Sequence, residues 1–171
     1  MKNTLYASML IALVVTATPS LSAPLSSKSH PRMFCELAAD LGYPSRGFKE
    51  HTGGCSSNMT DVSPTSGKNG LNNNLAFYSM GKSDDAKKLQ RVSLILNVNN
   101  VREKAKAHRE LSRVAKSVAT KILGEPLPQL SAVIEANGSR TWEVGEWSIE
   151  VKSDIWPTGL GHDMTVYFRP K

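Results

Sequence analysis

Gln90 to Gly124 reads QRVSLILNVNNVREKAKAHRELSRVAKSVATKILG, and a change of period inside it decides the fold. From Gln90 to Val98 the apolar residues alternate. Val92, Leu94, Leu96 and Val98 point one way, Ser93 and Asn97 the other, the two-residue period of a strand with one dry face. After Asn99-Asn100 the period becomes helical. Ala107, Leu111, Ala115, Val118 and Ile122 fall on one stripe, which needs an apolar surface to cover it. Asn100 suits an N-cap, Glu103 follows three residues later as a capping box requires, and Gly124 marks the stop after Leu123.

Upstream, Leu75, Phe77 and Ser79 alternate with Ala76, Tyr78 and Met80, a second strand joined to the first by a charged turn from Gly81 to Lys88. Asn58 to Asn74 has almost no apolar periodicity and reads as a long loop or a mobile hairpin tip. A weak strand is expected around Gly47 to Cys55. Phe34, Leu37, Ala38 and Leu41 recur at helical spacing before Gly42, which predicts a short helix over Met33 to Leu41. Downstream, Glu125-Pro126-Leu127-Pro128 breaks the chain, and Leu130, Val133 and Ile134 give a shorter helix ended by Gly138. Trp142 and Val144 then precede Gly145. Trp147, Ile149 and Val151 alternate with polar residues, a loop runs from Ser153 to His162, and Met164, Val166 and Phe168 close the chain. This order predicts an α+β fold. It is an antiparallel sheet of about five strands with a long and a short helix packed on one face, plus a short N-terminal helix.

The N-terminus has a different character. Lys2 is followed by an apolar run from Leu5 to Val15 and by small residues and a proline up to Ala23, the order of a secretory signal peptide. The run is too short for an ordinary membrane span of about 20 residues. Residues 1–23 are therefore read as a signal, 24–31 as a Ser-rich flexible leader, and 32–171 as a single domain. In an oxidising compartment Cys35 and Cys55, the two cysteines of the chain, are expected to be bridged. The closed loop of about 21 residues would contribute about 3 kcal/mol. A metal pair or a reactive thiol is the rival reading, although His51 and two cysteines make a sparse zinc set.

The chain carries 21 Lys+Arg against 15 Asp+Glu, a net charge of +6. On the long helix Arg102, Lys106, Arg109, Arg113 and Lys116 share an arc of roughly 80° opposite the apolar stripe. A solvated face explains such a row, and so does a docking strip for an anionic protein or envelope partner. Nucleic acid is not expected, because no nucleic-acid motif accompanies the charge. Trp156, in a glycine-rich loop with Ile155 and Leu160, either folds back on the core or anchors a partner.

Signals for catalysis are thin. The four histidines form no ligand motif and no serine sits in a nucleophile elbow. Glu143, Glu146 and Glu150 could supply a carboxylate pair for glycoside hydrolysis, but a solvated strand face accounts for them more simply. No cofactor or metal is called for. The expectation is an exported, non-enzymatic protein of the periplasm or cell exterior that recognises a macromolecular partner, as an inhibitor, immunity or secretion-accessory protein does. A small cell-envelope hydrolase with an unassigned site, or a secreted effector, is the alternative.

Mass spectrometry of exported protein tests the N-terminal reading. The mature chain is expected to begin at about Pro24, and an intact Met1 on protein recovered from the periplasm or medium overturns it.

Overall fold

The computed structural model describes residues 23–63 and 70–171. Met1 to Ser22, on which the export reading rests, lie outside them. The described strands are β1 (Gly54–Ser56), β2 (Thr60–Asp61), β3 (Asn74–Gly81), β4 (Leu89–Val98), β5 (Arg140–Val144), β6 (Trp147–Ile155) and β7 (His162–Pro170), and the helices are α1 (Lys104–Leu123) and α2 (Leu130–Glu135). All strand pairings are antiparallel, in the order β1-β3-β4-β7-β6-β5, with β2 beside β3 further along the edge that β1 occupies. The count exceeds the expected five because short strands form where the sequence shows little alternation. One of them, β2, lies inside the stretch read as a loop.

One face of this sheet is dry. Phe77, Val92, Leu94, Leu96, Ile149, Val151, Met164, Val166 and Phe168 are buried on it, and so are Leu111, Val118 and Ile122 of α1. The two periodicities of the Gln90–Gly124 stretch thus meet in a single core. α1 ends as expected: Gly124 adopts φ +78° and its N–H donates to the Thr120 carbonyl at 2.8 Å. Its start differs in detail. A 3-10 turn, Val101–Glu103, precedes the α-helix, and Asn100 Oδ1 accepts from the Arg102 N–H. The Asn100 N–H, which a capping box would hand to Glu103, goes instead to Asn73 Oδ1 at 2.6 Å.

That bond belongs to a ladder of asparagines. Asn73 Nδ2 donates to the Asn100 carbonyl, Asn99 Nδ2 to the Asn72 carbonyl and Asn97 Nδ2 to Asn74 Oδ1. The run Asn72-Asn73-Asn74 therefore ties the start of β3 to the end of β4 and the start of α1.

The N-terminal region corrects two expectations. The helix predicted over Met33 to Leu41 is a string of i→i+3 turns, with 3-10 segments at Pro31–Phe34 and Ala39–Leu41. Phe34, Cys35, Leu37 and Ala38 are all buried, an inner face wider than one α-helical stripe provides, and the tighter winding turns all four inward. Gly42, at φ +99°, still ends the segment. Cys35 and Cys55 are disulfide-bonded, with Cα atoms 5.8 Å apart, so this segment is tied to β1. The leader read as flexible is docked. The Leu25 N–H donates to the Ile122 carbonyl at 2.9 Å, the Ser27 N–H to Glu146 Oε1 at 2.7 Å, and Trp147 Nε1 to the Leu25 carbonyl at 3.2 Å. The last loop is also shorter than expected, because β6 continues to Ile155.

A polar pair sits inside the core. His108 of α1 and His162 of β7 are buried, with Nε2 atoms 2.9 Å apart. At that separation one ring donates and the other accepts, so the contact needs an unprotonated nitrogen on one of them. Burial lowers the pKa of both rings; the partner imidazole and Lys104 add to this at His108 and Lys104 at His162. Glu135 opposes the shift at His108 and Asp163 opposes it at His162.

Two measurements test this packing. Leu111→Ala is expected to cost about 2–5 kcal/mol in urea unfolding; a change within about 0.5 kcal/mol would place the helix on another face. Because both histidines bind protons less readily folded than unfolded, their contribution is complete above about pH 6.5 and is lost as pH falls below it. Stability is therefore expected to be flat from pH 8 to about 6.5 and to decline towards pH 5. His162→Gln should remove much of that decline, and a wild-type profile flat down to pH 5 contradicts the neutral pair.

Candidate functional site

Packing the apolar stripe of α1 on the sheet sends the opposite face outward. Arg102, Lys106, Arg109, Arg113 and Lys116 are all exposed. They do not behave alike. Arg113 grips Glu110 with two hydrogen bonds, at 2.9 and 2.7 Å, and donates a third to the Leu41 carbonyl at 2.9 Å. Among the described residues, none of Arg102, Lys106, Arg109 and Lys116 has an acidic partner within ion-pair distance. The row spans 14 residues of helical rise, about 21 Å.

Three members of the row, Lys106, Arg109 and Arg113, form one wall of a groove with a cavity volume of about 870 Å³. Leu41, Gly42 and Tyr43 form its near end and Thr60 to Ser63 the opposite wall. Each wall has a local cause. The left-handed Gly42 turns the chain out of the 3-10 segment, so that Tyr43 drops under α1. The opposite wall follows β2, held by its register with Leu75 and Asn74 and by the bond from the Val62 N–H to the Asn73 carbonyl at 2.8 Å.

The floor is a fixed polar network. Tyr43, 2 % exposed, donates its hydroxyl to Glu110 Oε1 at 2.9 Å. The bond from Arg113, with a second from Tyr43, holds the Glu110 carboxyl below its ordinary range against the effect of burial. Burial, then the bond to Glu110, pushes the Tyr43 phenol well above its ordinary value. Glu110 is therefore ionised and Tyr43 protonated throughout the neutral range, and neither group is poised for proton transfer near neutral pH. Asp61 accepts from Asn72 Nδ2 at 2.6 Å. What the groove offers a ligand is the free charge of Lys106 and Arg109 on one side and, on the other, the Asp61 carboxylate bonded to Asn72.

The other sequence candidates lie elsewhere. Trp156 does not line the groove. It is half-buried and folds across Gly161, where an added Cβ would come within 2.6 Å of the indole ring and 2.3 Å of the Val98 carbonyl. Glu143 pairs with Lys171 at 3.0 Å, Glu146 accepts from the Ser27 N–H and Glu150 pairs with Arg169. Glu143 and Glu146 have carboxyl pKa values lowered by hydrogen bonds, chiefly from Ser148 and from the Ser27 backbone respectively. A glycosidase acid needs a raised one. Among the described residues no group of three or more His, Cys, Asp or Glu side chains could hold a metal, and no helix is long and apolar enough to cross a membrane.

Sequence reasoning found the cations but missed Tyr43, Glu110 as a floor residue, and the wall from Thr60 to Ser63. The three-residue spacing of Glu110 and Arg113 was a legible ion-pair signal. Tyr43, 67 residues from Glu110 in sequence, left none. No protein-family model, no curated protein and no solved structure matches the chain.

Proposed function

We propose that this chain is an exported, non-enzymatic binding protein that captures an acidic segment of a macromolecular partner along the basic face of α1. One observation carries the reading: Lys106 and Arg109, exposed and without acidic partners among the described residues, stand along a groove large enough for a peptide segment, and Arg102 and Lys116 continue the row beyond it. Arg113 is a positioning residue. It spends its guanidinium on Glu110 and Leu41 and so fixes α1 against the segment that forms the near end of the groove. An extended acidic peptide lying in the groove would meet both free cations without displacing an existing ion pair. That favours fast, salt-sensitive association, and the fixed floor limits the ordering cost of binding. Hydrolysis lacks comparable support, since the ionisable groups of the groove floor are locked in one protonation state.

The test uses a fluorescein-labelled peptide rich in Glu and Asp, with binding read by anisotropy. Lys106→Glu combined with Arg109→Glu is expected to weaken binding on the order of thirtyfold at low salt, since each exposed pair is worth up to about 1 kcal/mol and the reversal also adds repulsion. The loss should lie mainly in the association rate and shrink as salt is raised. Equal affinity of the double variant and wild type at low salt refutes the groove as the binding site. Thermal unfolding should change little for this pair, whereas Arg113→Glu is expected to destabilise the fold by breaking the Glu110–Leu41 clamp.

A further inference from the structure

The exposed apolar side chains are not scattered. Of the six large hydrophobic residues exposed among the described residues, four stand at one end of the sheet: Leu71 (55 %), Val101 (47 %), Ile155 (75 %) and Leu160 (65 %). The topology brings them there. Leu71 precedes the start of β3, Val101 follows the end of β4, Ile155 ends β6 and Leu160 precedes β7, and the register pairs Asn74 with Asn97, Val98 with His162, and Ile155 with His162. A polar connection would suffice for each of these turns, so four apolar residues at the same end call for a partner surface.

This end is also held rigid. The asparagine ladder joins the segment carrying Leu71 to the one carrying Val101. Trp156 closes on Gly161, its N–H donating to the Gly161 carbonyl at 3.1 Å, so the loop carrying Leu160 is folded back on itself. His162 is fixed to His108 beneath that loop.

The surrounding charge selects the partner. On the helix side Arg102 and Lys104 are exposed and have no acidic partner within ion-pair distance among the described residues. Of the acids nearby, Asp154 is paired with Lys152 at 2.7 Å and Asp61 is held by Asn72; Asp163 and Glu103 are half-buried, and the Oδ1 of Asp163 is turned away from solvent. The combination is a short, preformed apolar tip beside free cations, with no spanning helix among the described residues. It matches an interfacial anchor, whose aliphatic side chains enter the headgroup boundary while Lys and Arg meet acidic headgroups.

We propose that this end of the sheet docks on the surface of an anionic lipid bilayer through Ile155 and Leu160, with Arg102 and Lys104 at the headgroups. The tip shares Arg102 with the basic row but uses neither Lys106 nor Arg109, so the two readings fail on different variants.

Cosedimentation with vesicles of phosphatidylglycerol and phosphatidylethanolamine, against vesicles of phosphatidylcholine alone, tests it. Wild type is expected to bind the anionic vesicles at least tenfold more strongly than the neutral ones. Ile155→Asp with Leu160→Asp should reduce binding to the anionic vesicles at least tenfold. Arg102→Glu with Lys104→Glu should bring it down to the level seen with phosphatidylcholine. Both pairs are exposed, and unchanged circular dichroism and thermal unfolding confirm that the variants fold. Three results would overturn the proposal: no binding of wild type to anionic vesicles, vesicle binding unaffected by the Ile155/Leu160 pair, or loss of vesicle binding only on Lys106→Glu with Arg109→Glu. Light scattering on the same proteins covers a second copy of the chain as the occupant: a dimer of wild type that Ile155→Asp with Leu160→Asp dissolves, with no vesicle binding, would assign the tip to self-association instead.

Discussion

The packing of α1 on one face of the sheet is the contact on which everything else depends. The strands β3, β4, β7 and β6 place a largely apolar surface on that side, interrupted by the hydrogen-bonded Ser79 and His162, and Leu111, Val114, Val118 and Ile122 of the helix are buried on it. Burying a Val, Leu or Ile side chain is worth about 1.5–3 kcal/mol, so a rotation of α1 that exposed this stripe would cost far more than any surface ion pair could return. The helix is therefore fixed about its own axis, and the basic row takes its outward direction from the core rather than from any ligand.

Once α1 is fixed, the groove depends on what is fastened beside it. The 3-10 segment reaches α1 through three polar links: Lys121 to Asp40 and the Leu37 carbonyl, Arg113 to the Leu41 carbonyl, and Tyr43 to Glu110. The disulfide fastens the same segment to β1 on its far side. A strip of chain with little regular secondary structure is thus pinned at both flanks. Its Glu110–Arg113–Tyr43 network is satisfied without using Lys106 or Arg109. Cations left free beside a satisfied network are available to a ligand, while those inside the network serve the fold.

The two ends of the molecule treat apolar surface differently. At the end near Leu25 and Pro170, Trp147 is buried under the docked leader and stacks edge-on against Phe34 with ring centroids 5.8 Å apart. At the other end the chain builds an equally ordered scaffold of asparagines, Trp156 and the histidine pair, then leaves Ile155 and Leu160 outside it. Buried amides such as Asn73 are stable only when bonded, and here their bonds cross between β3, β4 and the start of α1. Such a network fixes geometry as well as contributing stability.

By itself the sequence determined the α+β class, both faces of α1, the strand faces and the stop at Gly124; it favoured a Cys35–Cys55 bridge over a metal pair or free thiol, and the structure contains that bridge. Each of these rests on a period, a cap or a count that neighbouring residues express together, because alternation and helical spacing are local consequences of backbone geometry. Only the tertiary structure decided the groove, the asparagine ladder, the histidine pair and the docking of the leader. Tyr43 meets Glu110 across 67 residues, Asn73 meets Asn100 across 27, His108 meets His162 across 54 and the Ser27 N–H meets Glu146 across 119. None of these contacts has a periodic signature. The run Asn72-Asn73-Asn74 looks like a loop because asparagine carries no apolar pattern, and the Ser-rich leader looks flexible for the same reason. In the folded chain both are held by hydrogen bonds to partners that the core brings within reach.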